Sequence, residues 1–442
     1  MNVYCLSDDV YALPINELIR KQLSTDYYIL YAPKAGISSV VNKDFLKKVS
    51  NGDREALVQM EPFNTTRLWD ELSPAQDSSQ AASILYILPN YKCNLSCSYC
   101  YAAKGRSHAE INKSQALAAV EAFLNSRETP AEGTLKPLRI TFMGGGEPLL
   151  SWDIVKNVID KAHQMTTGTG RKIIFSIITN GTILSKQILQ TFQNYDIRVN
   201  ISFDITPEFQ QLQRGQHARV SRHIDRLLDS GIKLLIRSTI TPQSAPHLPE
   251  IAQYAINRFP KLKRIAFEPV TDETLTPEQL RSFLSVFRDN FFQAKSYLGE
   301  RDIQLITSDI ISARTPARKH CPSSISLNPE QTLTACPCFS SPKETGYQQN
   351  TVGHIRNGAL SVDEKQYANA MPNCNSLPPE CRSCYARWHC AGGCVHQRIV
   401  YSPEQMREVC NHTRLMLRRV LLDKIDGQMQ QSNHPPLSCL LK

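Results

Sequence analysis

From Ile84 onward, short apolar runs alternate with segments whose apolar residues recur every three to four positions. That rhythm predicts β-strands alternating with amphipathic helices. The apolar runs place strands near Ile84–Leu88, Leu138–Phe142, Lys172–Ile178, Arg198–Phe203, Lys233–Ile240 and Arg264–Glu268. The helical pattern falls near Ser114–Leu124, Asp153–Met165, Lys186–Phe192, Ser221–Asp229, Leu248–Ile256 and Pro277–Leu298. Six such repeats predict an α/β fold, a partial (β/α)6 TIM-like barrel, with chemistry in the loops after the strands. Ahead of it lie strand-like runs at Tyr27–Tyr31 and Ile37–Val41, a helix from Asp44, and a polar linker, Ser73–Ser79. Beyond about residue 300 the periodicity fades into cysteine-rich loops that end in a helix near Pro403–Leu422. The expected division is a small N-terminal α+β subdomain over 1–80, the barrel over 81–300, a cysteine-rich module over 301–425 and a tail over 426–442.

The chain has 442 residues, 41% hydrophobic and 21% charged, enough for a large core and an appended module. No stretch approaches the roughly 20 apolar residues that cross a bilayer. The first residues lack the basic and apolar regions of a secretory signal, so a cytoplasmic location without a membrane partner is expected. The 50 basic and 41 acidic residues, net +9, are mixed along the chain. The densest basic run, Arg414, Arg418, Arg419 and Lys424, has helical spacing and reads as a solvated helix face. No nucleic-acid partner is expected.

Fourteen cysteines change the picture. In a reducing compartment they point to metal ligation or chemistry rather than to disulfides. Cys93, Cys97 and Cys100 lie together, nine more fall between Cys321 and Cys410, and the stretch from Tyr101 to His320 holds none. Every distinctive motif of the middle region follows a strand. The cysteine trio follows the first, Gly144-Gly145-Gly146-Glu147-Pro148 the second and Thr179-Asn180-Gly181 the third; Ser202 and Asp204 close the fourth, and Glu268 the sixth. The trio, C-x3-C-x2-C, can wrap three thiolates around one compact metal centre. A structural zinc would need a fourth ligand, and the closest histidine is His108. A [4Fe–4S] cluster on three cysteines instead keeps one iron open to an exogenous ligand.

Tyr91-Lys92-Cys93-Asn94-Leu95-Ser96-Cys97-Ser98-Tyr99-Cys100-Tyr101 resembles the signature loop of the radical S-adenosylmethionine (SAM) superfamily, down to the aromatic Tyr99 before the third cysteine. The resemblance implies a [4Fe–4S] cluster on Cys93, Cys97 and Cys100 whose open iron takes the amino and carboxylate groups of SAM. Gly144 to Pro148 resembles that family's GGEP motif, which implies contact of Gly145, Gly146 and Glu147 with the SAM amino group. Ser202, Asp204 and Arg214 resemble the set that meets SAM's ribose and carboxylate, with Arg237 a rival for the carboxylate. Here Ile205 and Thr206 replace the Gly-Pro that usually follows the aspartate.

Cys381, Cys384, Cys390 and Cys394 form C-x2-C-x5-C-x3-C, followed by Cys410 and preceded by Cys321 and Cys336. These seven resemble the SPASM module, which implies two auxiliary [4Fe–4S] clusters. Carried over, Cys381, Cys384, Cys390 and Cys410 hold one. Cys321, Cys336 and Cys394 hold the other, with Cys338 and Cys374 as candidates for its fourth ligand and an open iron as another possibility. The glycine usual five residues before the second module cysteine is Gln331 here. A double zinc site is the structural alternative.

The resemblance implies reductive cleavage of SAM to a 5′-deoxyadenosyl radical that takes a hydrogen atom from an unactivated carbon. The expected partners are a peptide or protein substrate with a leader segment and a reductant such as flavodoxin or ferredoxin. Cross-linking or thioether formation in a ribosomal peptide is the preferred reaction. Epimerisation would use Cys338 as a hydrogen donor. Sulfatase maturation to formylglycine is the alternative, against which stands Pro337, where maturases of that type carry a basic Asp. A non-catalytic Fe–S electron carrier or docking protein is the alternative of another class.

Overall fold

The computed structural model describes residues 3–7, 9–15, 26–71, 82–125, 137–169, 171–356, 359–371 and 377–431. The linker expected at Ser73–Ser79 and the candidate ligand Cys374 lie outside them.

All six expected barrel strands form. They are β5 (Ile84–Ile87), β6 (Leu138–Phe142), β7 (Ile173–Thr179), β8 (Arg198–Ser202), β9 (Leu234–Ile240) and β10 (Arg264–Pro269), after four strands at the N-terminus, β1 (Tyr4–Ser7), β2 (Val10–Pro14), β3 (Tyr27–Ala32) and β4 (Ile37–Asn42). The six pair in parallel in sequence order, each against its predecessor. Alternation along them sorts the side chains. Ile140, Phe142, Phe175, Ile177, Val199, Ile201, Ile236, Ile265 and Phe267 all join the main buried core, leaving Thr141, Ser176, Asn200, Ser202, Arg237 and Glu268 on the opposite, inner face. The face turned to the core is apolar, and the opposite one is mixed, with these polar side chains beside Ile174, Ile178, Leu235 and Ala266.

Two parallel strands go beyond the expected six. β11 (Gln304–Ile306) extends the sheet at β10, and β12 (Ser324–Leu327), from the cysteine-rich region, pairs in parallel with β5. Three residues are too few for a period to show, and Ser-Ile-Ser-Leu sits among loop residues. β13 (Thr332–Thr334), β14 (Thr351–Arg356) and β15 (Ala359–Val362) continue the sheet antiparallel. The cysteine-rich module is thus part of the same eleven-stranded sheet, which runs from β11 to β15 without closing.

β1 to β4 form a separate antiparallel sheet, of which β1 and β2 were not anticipated from the sequence. Its Tyr11, Leu13, Ile15, Ile29 and Tyr31 pack on Leu417, Leu421, Leu422 and Ile425 of the last helix, Pro403–Gln431. That contact accounts for the helix running past the expected end at Leu422: its later turns have an apolar surface to cover. Arg418, read as solvated, is 4% exposed and donates to the Tyr385 hydroxyl at 2.9 Å. Among the described residues no helix is long and apolar enough to cross a membrane.

Asp9 ties the small sheet to the cysteine-rich module. Its carboxylate accepts from Trp388 Nε1 at 2.7 Å, Arg387 Nη2 at 2.6 Å and the Tyr11 hydroxyl at 3.1 Å, and pairs with Lys34 at 2.9 Å. Burial pulls its pKa up, but Lys34, Trp388 and Arg387 together hold it below the ordinary aspartate value. The folded pKa is the lower one, so this stabilisation is present above pH about 4 and is lost as pH falls through the folded pKa. Asp9→Asn, which leaves the half-buried Lys34 and Arg387 facing a neutral group, is expected to cost about 1–3 kcal/mol. Hydrogen exchange should report that loss as lower protection in β1 to β4 at pH 7, with the wild type converging on the variant in acid.

Candidate active site

The cysteine loop leaves β5 and is held on three sides. The buried Tyr91 donates its hydroxyl to the Ser340 carbonyl at 2.6 Å and also meets Glu330, both in the cysteine-rich module. Asn90 Nδ2 donates to the Glu147 carbonyl at 3.1 Å and to Ser151 Oγ at 2.5 Å. Asn94 accepts from Asn180 Nδ2 at 2.9 Å and donates to Thr182 Oγ1 at 2.8 Å. Cys93, Cys97 and Cys100 are free, half-buried thiols at the centre of this frame.

The glycine turn after β6 lies directly beneath. Gly144 and Gly145 take φ of 60° and 67°, the left-handed region glycine favours. A Cβ on Gly146 would stand 2.0 Å from the Lys92 carbonyl oxygen, and Glu147 N donates to that oxygen at 2.7 Å. The turn therefore supplies bare backbone beside the cysteine loop. The Glu147 side chain is engaged within the protein: it is 2% exposed and accepts from Thr179 Oγ1 at 2.6 Å, Asn180 N at 2.7 Å and Leu149 N at 3.1 Å. Burial raises its pKa and those donors oppose the rise. It clasps the loops after β6 and β7 together.

Tyr99, Asp204 and Arg214 come together behind Cys97. The Tyr99 hydroxyl donates to Asp204 Oδ2 at 2.6 Å, and Arg214 Nε lies 3.3 Å from the same oxygen. Arg214 also donates to the Tyr99 hydroxyl, and its Nη1 stands 3.6 Å from Cys97 Sγ. With its side chain 10% exposed, Arg214 is no surface arginine. Burial pushes the Cys97 thiol up, Arg214 pulls against it, and Cys100 and Cys93 push it further. Ser202 ends β8 half-buried, in register with Arg237. Arg237 stands 4.0 Å from Glu268, whose carboxylate accepts from Ser308 N and Oγ, each at 3.0 Å. Both open onto the inner face of the barrel.

Ile205 and Gln331, the two replaced glycines, have φ of 68° and 62°. The backbone keeps the left-handed turn at both positions and bears the strain of a side chain there, which for a buried β-branched Ile205 is about 1–3 kcal/mol. Arg106 and Asn180 escaped the sequence reading as site residues. Arg106 Nη2 lies 3.3 Å from Cys100 Sγ, and Asn180 Nδ2 lies 3.9 Å from Cys93 Sγ. Thr179-Asn180-Gly181 at a strand end was the available signal for Asn180; a lone arginine in a loop offers none.

In the cysteine-rich module the thiols fall into two groups by their mutual influence. Burial raises Cys390 to about 12, with Cys410, Cys384 and Cys381 adding to the rise. Burial likewise raises Cys321 to about 12, with Cys394 and Cys336 adding. Cys338 belongs with the second group, held high by its hydrogen bond with Cys336 and by burial. Between Cys390 and Cys394 the residues Ala391, Gly392 and Gly393 take φ of 45°, 90° and 79°, a left-handed run that separates the two thiols. Among the described residues no three His, Cys, Asp or Glu side chains converge tightly enough to share one metal ion. The donor chemistry of the trio fits a cluster: three thiols, two guanidiniums beside them, and side-chain-free backbone beneath. The two module groups likewise offer thiol donors and little else.

Gly146→Ala should displace the cysteine loop, an overpacking of about 1–3 kcal/mol. The reconstituted variant is expected to lose the iron bound by the trio while keeping the rest. Gly427→Ala, with nothing within 4 Å of the added atom, is the matched control and should bind iron as the wild type does.

Comparison with known proteins bears on all of this. Residues 87–255 match the family model of the radical SAM superfamily. The radical SAM cyclopropyl synthase TigE of Paramaledivibacter caminithermalis is 28% identical over 212 residues, 45% of this chain and 43% of that protein, so the match spans less than half of that relative. The structure of anSMEcpe with bound AdoMet superposes with a TM-score of 0.60 at 16% identity, covering 76% of this chain and 98% of that one. Streptococcus suis SuiB bound to its precursor peptide SuiA gives 0.51 at 14%, covering 86% and 94%. The likeness in fold extends past the family match, and SAM with a [4Fe–4S] cluster are the cofactors of the family that residues 87–255 match. Over residues 87–255 this chain is a radical SAM domain.

Proposed function

We propose that the protein is a radical SAM maturase that modifies an unactivated carbon of a ribosomally made peptide. One observation carries the reading: a cysteine trio over a bare glycine turn shares a single sheet with a module holding two further groups of free thiols. When bound, a [4Fe–4S] cluster and SAM supply a 5′-deoxyadenosyl radical able to remove a hydrogen atom. The chain's part is to hold and orient. Cys93, Cys97 and Cys100 would ligate the cluster, with Arg106 and Arg214 donating to two of the thiols. Gly145 and Gly146 would present backbone to the SAM amino group. Ser202 and Arg237, in register on β8 and β9, would meet the ribose and carboxylate. Tyr99, Asp204 and Arg214 would act as a brace behind Cys97 rather than as direct SAM contacts, because each already has its partner. Glu147 would brace the glycine turn in the same way.

Cys381, Cys384, Cys390 and Cys410 would hold one auxiliary cluster, and Cys321, Cys336 and Cys394 the other. Cys338, hydrogen-bonded to Cys336, would complete the second, a role that competes with hydrogen donation in an epimerisation. The neighbours solved with peptides, SuiB with SuiA and anSMEcpe with Cp18Cys, support a peptide substrate. Formylglycine formation on a protein is the second reading, favoured by the likeness to anSMEcpe and opposed by Pro337, which supplies no base. A flavodoxin or ferredoxin would deliver the electron.

Mass spectrometry of candidate peptides incubated with the reconstituted protein, SAM and reductant tests the reading. Loss of two hydrogens without an aldehyde supports a cross-link or thioether. An aldehyde that reacts with hydrazine supports formylglycine, and solvent deuterium gained at an α-carbon supports epimerisation. Unmodified peptides despite turnover of SAM would reject the peptide-maturase reading for that set. Cys384→Ala is expected to reduce product at least tenfold more than it reduces SAM cleavage. Equal loss of both would contradict a separate auxiliary role.

A further inference from the structure

Two guanidinium groups reach thiols of a single group in the cysteine-rich module. Arg398, on the helix Val395–Val400, points Nη2 at Cys381 Sγ from 3.6 Å. Arg414, one turn past Cys410 on the long helix, points Nη1 at Cys384 Sγ from 4.0 Å. Neither side chain floats: Arg398 also donates to the Gly392 carbonyl and Arg414 to Asn411 Oδ1. Against the upward push of burial, both cations draw the Cys410 thiol down, and Arg398 does the same at Cys381.

The neighbouring group is furnished differently. Cys321 is shifted by burial, Cys394 and Cys336; Cys394 by burial, Cys336 and the backbone N–H groups of Gln397 and His396. No cation is among those influences. The first group is therefore met by two guanidiniums, at 3.6 and 4.0 Å, whereas at Cys394 the influences that oppose burial are backbone N–H groups at a helix start. Only Ala391, Gly392 and Gly393 separate Cys390 of the first group from Cys394 of the second along the chain.

Reducing an iron–sulfur cluster adds negative charge to it. Nearby cations and hydrogen bonds to its sulfurs stabilise the reduced form more than the oxidised one, and charge-assisted bonds do so more than neutral ones. We propose that Arg398 and Arg414 are positioning residues that set a potential step within the module. They make the centre on Cys381, Cys384, Cys390 and Cys410 the higher-potential auxiliary cluster. With both clusters bound, that step would favour transfer of one electron from a reduced centre on Cys321, Cys336 and Cys394 to an oxidised arginine-flanked one, the first being reoxidised as the second is reduced. The proposal rests on reading both thiol groups as [4Fe–4S] ligands.

The test is a potentiometric titration of the anaerobically reconstituted full chain, followed by electron paramagnetic resonance without substrate. Arg398→Met and Arg414→Met should each lower the midpoint of one auxiliary signal, and the double variant should lower it further. The other auxiliary signal and that of the SAM-site cluster should stay in place. Arg398→Lys, which keeps the charge, should restore most of the midpoint. Unmoved midpoints in the double variant, or an equal shift in every centre, would overturn the proposal. Iron and acid-labile sulfide in the wild type separate this failure from another: content short of three clusters would reject the ligand reading itself, whatever the arginines do.

Discussion

The site depends on one close approach. The carbonyl of Lys92, in the cysteine loop, occupies the space a side chain on Gly146 would need, and the Glu147 amide closes the contact at 2.7 Å. Two loops from neighbouring strands thereby share a single backbone layer. Everything around them reinforces that layer: Asn90 ties the cysteine loop to the Glu147 carbonyl, and the Glu147 carboxylate ties the glycine turn to the loop after β7. Asn180 of that third loop then returns to Asn94, between the first two cysteines. The circuit closes on itself, so the thiols are positioned by three strands of a rigid sheet rather than by a free loop.

The same economy joins the two ends of the chain. Tyr91 bonds to Ser340, β12 pairs with β5, and the cysteine-rich module becomes the flank of the barrel instead of an appended domain. The N-terminal sheet docks on that module through Asp9 and the apolar face of the last helix.

Much of this was legible in the chain. Strong period-two and period-3.6 patterns located six strands and their helices, because each buries one face on a shared core. The trio and the glycine turn were legible because their spacing is short and local. What escaped has a common cause. β11 and β12 are too short to carry a period, and Arg106, Arg398 and Arg414 act through contacts that only the fold creates. Arg414 and Arg418 have the spacing of a solvated helix face, yet the helix is covered where they lie. Ile205 and Gln331 show the converse. Their side chains argued for altered turns, but the surrounding structure imposes the left-handed backbone and the residues bear the strain.

The most direct test of the account is to quantify 5′-deoxyadenosine by mass spectrometry after anaerobic reconstitution with iron and sulfide, using SAM and a strong reductant, for the wild type and for Cys97→Ala. The account predicts 5′-deoxyadenosine from the wild type in the presence of a peptide substrate, and none above background from the variant, because two thiolates do not retain the cluster. Equal yields from the two proteins would contradict it.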